Sequence, residues 1–441
     1  SFAAAQGQAG GGGLLPLESV AAVSVAAPDI AAGEAEDAAR EAAGLPPRFA
    51  IPHAAAITPA NHGTWENLDA QRLIWRLRVL APGASNLNLG FGTFALPEGA
   101  ELSIHSADLT QVVRAFTAAD NEEHGELWTP VVASADLVVE LAVPEALADQ
   151  VLLELTQIGY GYRGFDPRPL PGVLALSGSC NVDVICPEGD PWRLEIPSVG
   201  VISLGGSTFC SGFMVNNVRG DFRPFFMTAN HCGVGSGNAP SLVVYWNYEN
   251  SFCRPINSPQ NSQPGNGSKS QFNTGSFWRA GSGPSDFTLV ELDDAPSPSF
   301  ELSWAGWDAT GADATSAVAI HHPQTQEKRI SFEYQPTTTT SPPSTTQRSI
   351  ASGCTTPFPR VVATLTPKPK AATKLKKAAQ ATATLGDNVP VETTVATELA
   401  ASWNPLRKSN TSATRMMAMT EISKGSMAGT TRSSTDLPSF S

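Results

Sequence analysis

Residues 225–233 read Phe-Phe-Met-Thr-Ala-Asn-His-Cys-Gly, an apolar run that ends on a histidine beside a cysteine. The run reads as a strand, so His231 stands at a strand end on a mount that Cys232 can anchor. A histidine held this way suits a general base. It must take a proton from a hydroxyl and pass it to a leaving group, which requires a rigid mount and a carboxylate that fixes its tautomer. Such a carboxylate, Asp286, follows 55 residues on, where Pro284-Ser285-Asp286-Phe287-Thr288-Leu289-Val290-Glu291-Leu292 sets it at the mouth of a second alternating strand. The other reading of His231 is a histidine packed next to a structural disulfide.

Six stretches carry a resemblance. Residues 177–190 (SGSCNVDVICPEGD), the His231 motif, 243–250 (VVYWNYEN), 286–292, 304–308 (WAGWD) and 319–331 (AIHHPQTQEKRIS) together resemble bacterial lysyl endopeptidases, in that family's order. The resemblance implies a secreted serine endopeptidase of trypsin-like, chymotrypsin-like fold, with two antiparallel β-barrels, that acts on protein or peptide substrates through an acyl-enzyme. It implies His231 as general base and Asp286 as its orienting partner. It also implies disulfides Cys210–Cys232 and Cys186–Cys253, and it sets the His321-His322 pair in the barrel near the substrate side as structural or site-lining residues. Cys180 would then pair late in the second barrel, where Cys354 is the one cysteine left. Bridges closing loops of these lengths would stabilise the fold by about 3 kcal/mol each and call for an oxidising compartment.

The nucleophile departs from the pattern. The family's serine lies in a Gly-Ser-Ser-Gly-Ser-Pro type segment roughly eighty residues after the aspartate, where glycine turns aim the hydroxyl and two backbone N–H groups at the substrate carbonyl. Here that spacing lands near Pro367, no serine occurs between Ser352 and Ser402, and no Gly-x-Ser-Gly string follows Asp286. The nearest imitation is Gly425-Ser426-Met427-Ala428-Gly429, in which Ser426 lacks the glycine that should follow it. The surrounding sequence also changes character: residues 341–441 hold twelve Lys+Arg and five Asp+Glu, a net charge of +7, whereas the first 340 residues carry a net charge of −20. Hydrophobic alternation fades in the same place, which predicts a disordered tail over 336–441 and an incomplete second barrel. A shifted reading frame and a divergent, catalytically dead tail both account for it. With the nucleophile segment missing, the competing functional readings are a non-catalytic protease homologue that acts as a binding protein and a β-sandwich ligand-binding module.

Composition bounds the remaining classes. The chain has 441 residues, 41% of them hydrophobic and 7% aromatic, enough for two ordinary domains plus non-globular ends. A net charge of −13 argues against nucleic acid as a partner, since phosphate binding rests on a basic surface, and Lys368, Lys370, Lys374, Lys376 and Lys377 read as a solvated run. No run approaches the length of a membrane span. No Cys-x-x-Cys pair points to zinc, and neither the His321-His322 pair nor His124 among Glu122, Glu123 and Glu126 has the spacing of a metal site, so no metal or cofactor is expected. Trp246, Trp304 and Trp307 read as core or cleft-wall aromatics. A monomer is expected, with either a removed signal or an incomplete sequence behind the start at Ser1.

Upstream, short alternating runs at 73–80 (LIWRLRVL), 87–94, 102–105, 127–132, 137–143 and 151–158, separated by turns such as Pro82-Gly83, predict a mainly β unit built as an antiparallel sandwich. The expected organisation is an Ala/Gly-rich, flexible or partly helical leader over 1–50, a β-sandwich prodomain or accessory domain over 51–165, and a linker over 166–176. The protease domain follows over 177–335, and the tail over 336–441.

Overall fold

The computed structural model describes residues 13–165, 181–263, 265–307, 314–334 and 336. Cys180, Cys354, Ser426, the linker and nearly all of the tail, each read from sequence above, lie outside these residues. The architecture is mainly β. Two sheets make up the N-terminal part. The larger joins β1 (Ala22–Ser24), β3 (Thr64–Asn67), β4 (Arg72–Leu80), β6 (Glu101–Ser106), β7 (Phe116–Thr117) and β9 (Asp136–Pro144); the smaller joins β2 (Ala50–Ile57), β5 (Asn86–Ala95), β8 (Leu127–Trp128) and β10 (Leu152–Gly161). All pairings here are antiparallel except β1 on β4, which is parallel.

Period-2 alternation explains why these segments are strands. Trp75, Leu77 and Val79 of β4 turn inward onto Leu87, Leu89 and Phe91 of β5, while Arg76 and Arg78 on the opposite face are tied to Glu66 and Asp136. Each large apolar side chain buried in this core contributes about 1.5–3 kcal/mol. Four strands of these sheets have no counterpart among the runs expected from sequence. β2 carries Pro52 and four alanines, and β1, β3 and β7 are short, so all four owe their form to neighbours rather than to their own composition. The leader carries a helix, α1 (Ile30–Ala42), capped by Asp29 and docked through Asp37, which is 1% exposed and bound by Arg48 and Tyr162.

The C-terminal part is built on a seven-stranded antiparallel sheet. Its order is β16 (Phe272–Thr274), β15 (Leu242–Tyr245), β12 (Val199–Leu204), β13 (Thr208–Met214), β14 (Phe225–Thr228), β18 (Phe287–Leu292) and β17 (Ser276–Ser282). β14 is buried on both faces, which accounts for its unbroken apolar run. Phe226 packs with Trp246, Met214 and Val290, whereas Phe225 and Met227 pack with Phe213 and Leu289 on the other side. A three-stranded sheet of β11 (Val182–Asp183), β20 (Arg329–Glu333) and β19 (Ala317–His321) encloses a small core of Val182, Val184, Ile196, Val318 and Ile330. Among the described residues, this sheet is all that represents a second barrel.

The two parts share core and hydrogen bonds. The turn between β12 and β13 is gripped by the N-terminal part: Asn88 Nδ2 donates to Gly206 O (3.0 Å), Gln157 Nε2 to Gly205 O (2.7 Å), and the Phe49 N–H to Ser207 O (2.8 Å). Val131 N–H donates to the Tyr245 hydroxyl at 3.0 Å.

Candidate active site

The register of β14 against β18 assembles the site. Thr228 pairs with Thr288, so the chain leaving β14 and the chain entering β18 run side by side, bringing His231 against Asp286. His231 sits in a 3-10 turn, Asn230–Cys232, that ends on Gly233 at φ +82°, a left-handed conformation where a side chain would be strained. Asp286 also has a positive φ, +49°, which Asp tolerates better than most residues, and this turns its carboxylate back toward the histidine.

His231 Nδ1 lies 2.8 Å from Asp286 Oδ2 and 3.1 Å from Oδ1, and the His231 backbone N–H donates to Oδ1 at 2.9 Å. A carboxylate on Nδ1 places the neutral ring's proton there and leaves Nε2 with the lone pair, the arrangement of a general base. Both side chains are only about a quarter exposed, at 24% and 28%.

The mount is cross-linked. Cys232 is bridged to Cys210 on β13, with Cα atoms 5.9 Å apart, and the Thr228 hydroxyl donates to Ser211 O at 2.8 Å. A second bridge, Cys186–Cys253, ties the segment after β11 to the loop after β15. Cys210, His231 and Cys232 crowd within 4.8 Å of one another, but both sulfurs are committed to the disulfide and offer no thiolate to a metal.

His321 and His322 are interior residues, 3% and 0% exposed. Burial first, and the Arg329 charge second, push the His321 imidazole down to about 3; burial and then Lys328 push His322 well below its ordinary value. Both rings are therefore neutral near pH 7. The tie to the His231 mount runs through backbone: His322 N–H donates to the Ser211 hydroxyl at 2.9 Å, next to Cys210, while its ring stacks on Tyr248. Trp246 is fully buried; Trp304 and Trp307 are partly buried against the cores on the two faces of β14.

Among the described residues the His231 ring hydrogen-bonds only to Asp286, and no serine hydroxyl joins it. Sequence reasoning also missed two features. A buried network joins Arg254 to Asp183 and Glu327, with Arg329 on Asp183 and Lys328 on Glu249. His124 reaches Asp293 at 3.1 Å. No local pattern marks either, because the partners lie 71 to 169 residues apart.

The lysyl endopeptidase N-terminal domain matches residues 19–161, and the lysyl endopeptidase C-terminal domain matches residues 174–356. The chain belongs to the lysyl endopeptidase family. The lysyl endopeptidase of Pseudomonas aeruginosa is 27% identical to it over 333 residues, covering 70% of each chain. Among solved structures, the CUB1-EGF-CUB2 domains of rat MASP-1 align over 63% of this chain and 96% of that one at 7% identity, with a TM-score of 0.19, too low to indicate a shared fold. His231 and Asp286 both fall in the segment matched by the C-terminal domain.

Proposed function

We propose that the chain carries the acid–base half of a serine endopeptidase of the lysyl-endopeptidase type, with His231 as general base and Asp286 as the residue that orients it. The observation that supports this most is the bidentate approach of Asp286 to His231 Nδ1, with the backbone N–H of the same histidine on Oδ1. In the reaction so proposed, His231 Nε2 removes the proton of a serine hydroxyl as it attacks the scissile carbonyl of a peptide. The imidazolium, paired with Asp286, then returns that proton to the leaving amine; water repeats the sequence to release the acyl group. The family's serine segment is absent from the sequence as written, where no Gly-x-Ser-Gly string follows Asp286.

In this reading residues 51–165 form a prodomain that holds the catalytic sheet by its β12–β13 turn, 166–176 a cleavable linker and 177–335 the protease domain. The two disulfides support an extracellular site of action. Among the described residues no helix is long and apolar enough to cross a membrane.

The test has two arms. The chain as written should take up no stoichiometric label from a fluorophosphonate serine probe. A chimera in which the part after residue 335 is replaced by the equivalent part of the Pseudomonas aeruginosa relative should label and cleave peptides, and should lose both with His231→Ala. Activity in the chimera that survives His231→Ala would end the assignment.

A further inference from the structure

The seven-stranded sheet has an open edge beside its histidine, and the leader lies on it. β14 covers β13 only from Gly212 onward, so the entry of β13 has one side free for another strand. Two positions after that entry, at Thr208, comes Cys210, which is bridged to the His231 turn. Residues 46–50 run antiparallel along this stretch. The Phe209 N–H donates to Pro47 O at 3.1 Å, Arg48 faces Thr208, and the Phe49 N–H donates to Ser207 O at 2.8 Å. The Ser207 hydroxyl donates to Ala50 O at 3.0 Å. At the other end, a Cβ on Gly233, two residues past His231, would stand 3.9 Å from Pro46 Cγ. The leader strand therefore starts beside the His231 turn and runs carboxyl-ward away from it.

That polarity is the one the proposed chemistry requires of a leaving chain. The amine that receives its proton from the His231 ring is the amino end of the released segment, so the rest of that segment extends carboxyl-ward from the histidine. An extended peptide can add to an open edge through backbone hydrogen bonds alone. We propose that residues 46–50 are a built-in competitor for the leaving side of a peptide substrate, so that the leader, rather than the β-sandwich behind it, closes this half of the cleft. The proposal rests on the reading of His231 and Asp286 as the acid–base pair.

α1 is the strap that holds the competitor in place. The helix ends with the Gly44 N–H on Glu41 O and the Leu45 N–H on Arg40 O, with Gly44 at φ +74°. This turn carries the residues before Pro46 back into the helix instead of on past His231. From the helix, Arg40 Nη2 donates to Pro46 O at 3.4 Å and Asp37 accepts Arg48 Nε at 2.6 Å. Asp37 is 1% exposed, so pulling Arg48 away strips a buried carboxylate of a partner. The leader offers the hydrogen bonds of a leaving chain and no bond to cut.

The full chain as written tests the competition without any chemistry. A fluorescein-labelled peptide of residues 44–50 should bind Asp37→Ala about tenfold more tightly than the unsubstituted chain, the change expected when the free edge rises from about a tenth of the molecules to nearly all. Arg48→Cys with Thr208→Cys, which face each other in the pairing, should bind none of it once oxidised. That lock decides the matter if Asp37→Ala does not fold, and equal binding by the locked and unsubstituted chains would overturn the proposal. The chimera described above then tests the site. Its substrates are a peptide p-nitroanilide, which has no residues on the leaving side, and the same peptide continued by three residues. Asp37→Ala should lower KM for the continued peptide by about tenfold at unchanged kcat and leave p-nitroanilide cleavage as it was. The same change on both substrates, or on neither, would overturn the proposal and leave the acid–base reading standing. A chimera inert toward both would remove the reading and the proposal with it.

Discussion

The N-terminal part closes one apolar core between two sheets, whereas the C-terminal part divides its interior into smaller clusters and fills the ground between them with charge. In the first, Leu77, Val79, Leu87 and Leu89 are fully buried among their own kind, and the charged partners Arg78 and Asp136 remain at the surface. In the second, Arg254 and Asp183 are each 1% exposed and Lys328 and Arg329 are 0% exposed. Apolar packing tolerates substitution in proportion to the volume lost. A buried ionic network tolerates the loss of one partner poorly, because the other charge is left without compensation. The part holding His231 and Asp286 thus relies on a larger buried ionic network than the part that grips it, whose buried pairs are Asp37 with Arg48 and Glu66 with Arg76.

The largest expected effect separates chemistry from scaffold. In the active chimera, Asp286→Asn should lower kcat by about 10⁴-fold, since the amide holds the wrong tautomer, while peptide affinity and thermal unfolding change little. Next comes the network: Arg254→Met should destabilise the C-terminal part by about 3–5 kcal/mol, read as lost exchange protection in β11 and β20. Leu77→Ala should cost about 2–5 kcal/mol and act on the N-terminal sheets instead. If Arg254→Met proved milder than Leu77→Ala, the contrast between the parts would fail.

Acid should break the parts in order. The unfolded chain takes protons onto His321 and His322 as pH falls below about 6.5, while the folded chain keeps both rings neutral. The stability they contribute is complete above that pH and is lost progressively as pH falls toward the His321 value of about 3. Exchange in β19 and β20 should accelerate over that range before exchange in β4 and β9 does, and His321→Gln should flatten the response. The smallest effect lies on the sandwich surface. Arg72→Ala, which removes a pair with Asp69 that is half exposed on one side and 43% on the other, should leave the unfolding midpoint where it was.

Much of this was legible in the sequence where local pattern and long-range structure coincide. β14 announced itself because both of its faces are buried, and Asp286 because it opens an alternating strand. β4, β5 and β9 alternate with a period of two and fell where the pattern put them. β2 did not, because alanines and Pro52 carry no strand signal and its form comes from β10 alongside. α1 was visible only as an alanine-rich leader; nothing in its composition tells that Asp37 is buried against Arg48 and Tyr162. The buried network gives no such signal, since sequence shows charges but not which of them share an interior.

The gripped turn at Gly205 and Gly206 has a consequence for the order of events during synthesis. Asn88 and Gln157, its hydrogen-bond partners, precede it by 118 and 48 residues, so they leave the ribosome first, within sheets that pair only among themselves. When β12 and β13 emerge, the donors for their turn already stand in place. The cost of closing so long a loop grows only with the logarithm of its length. The β12–β13 hairpin can therefore form against partners made before it rather than be found by search, and the residues that later hold the parts together serve first as the mould.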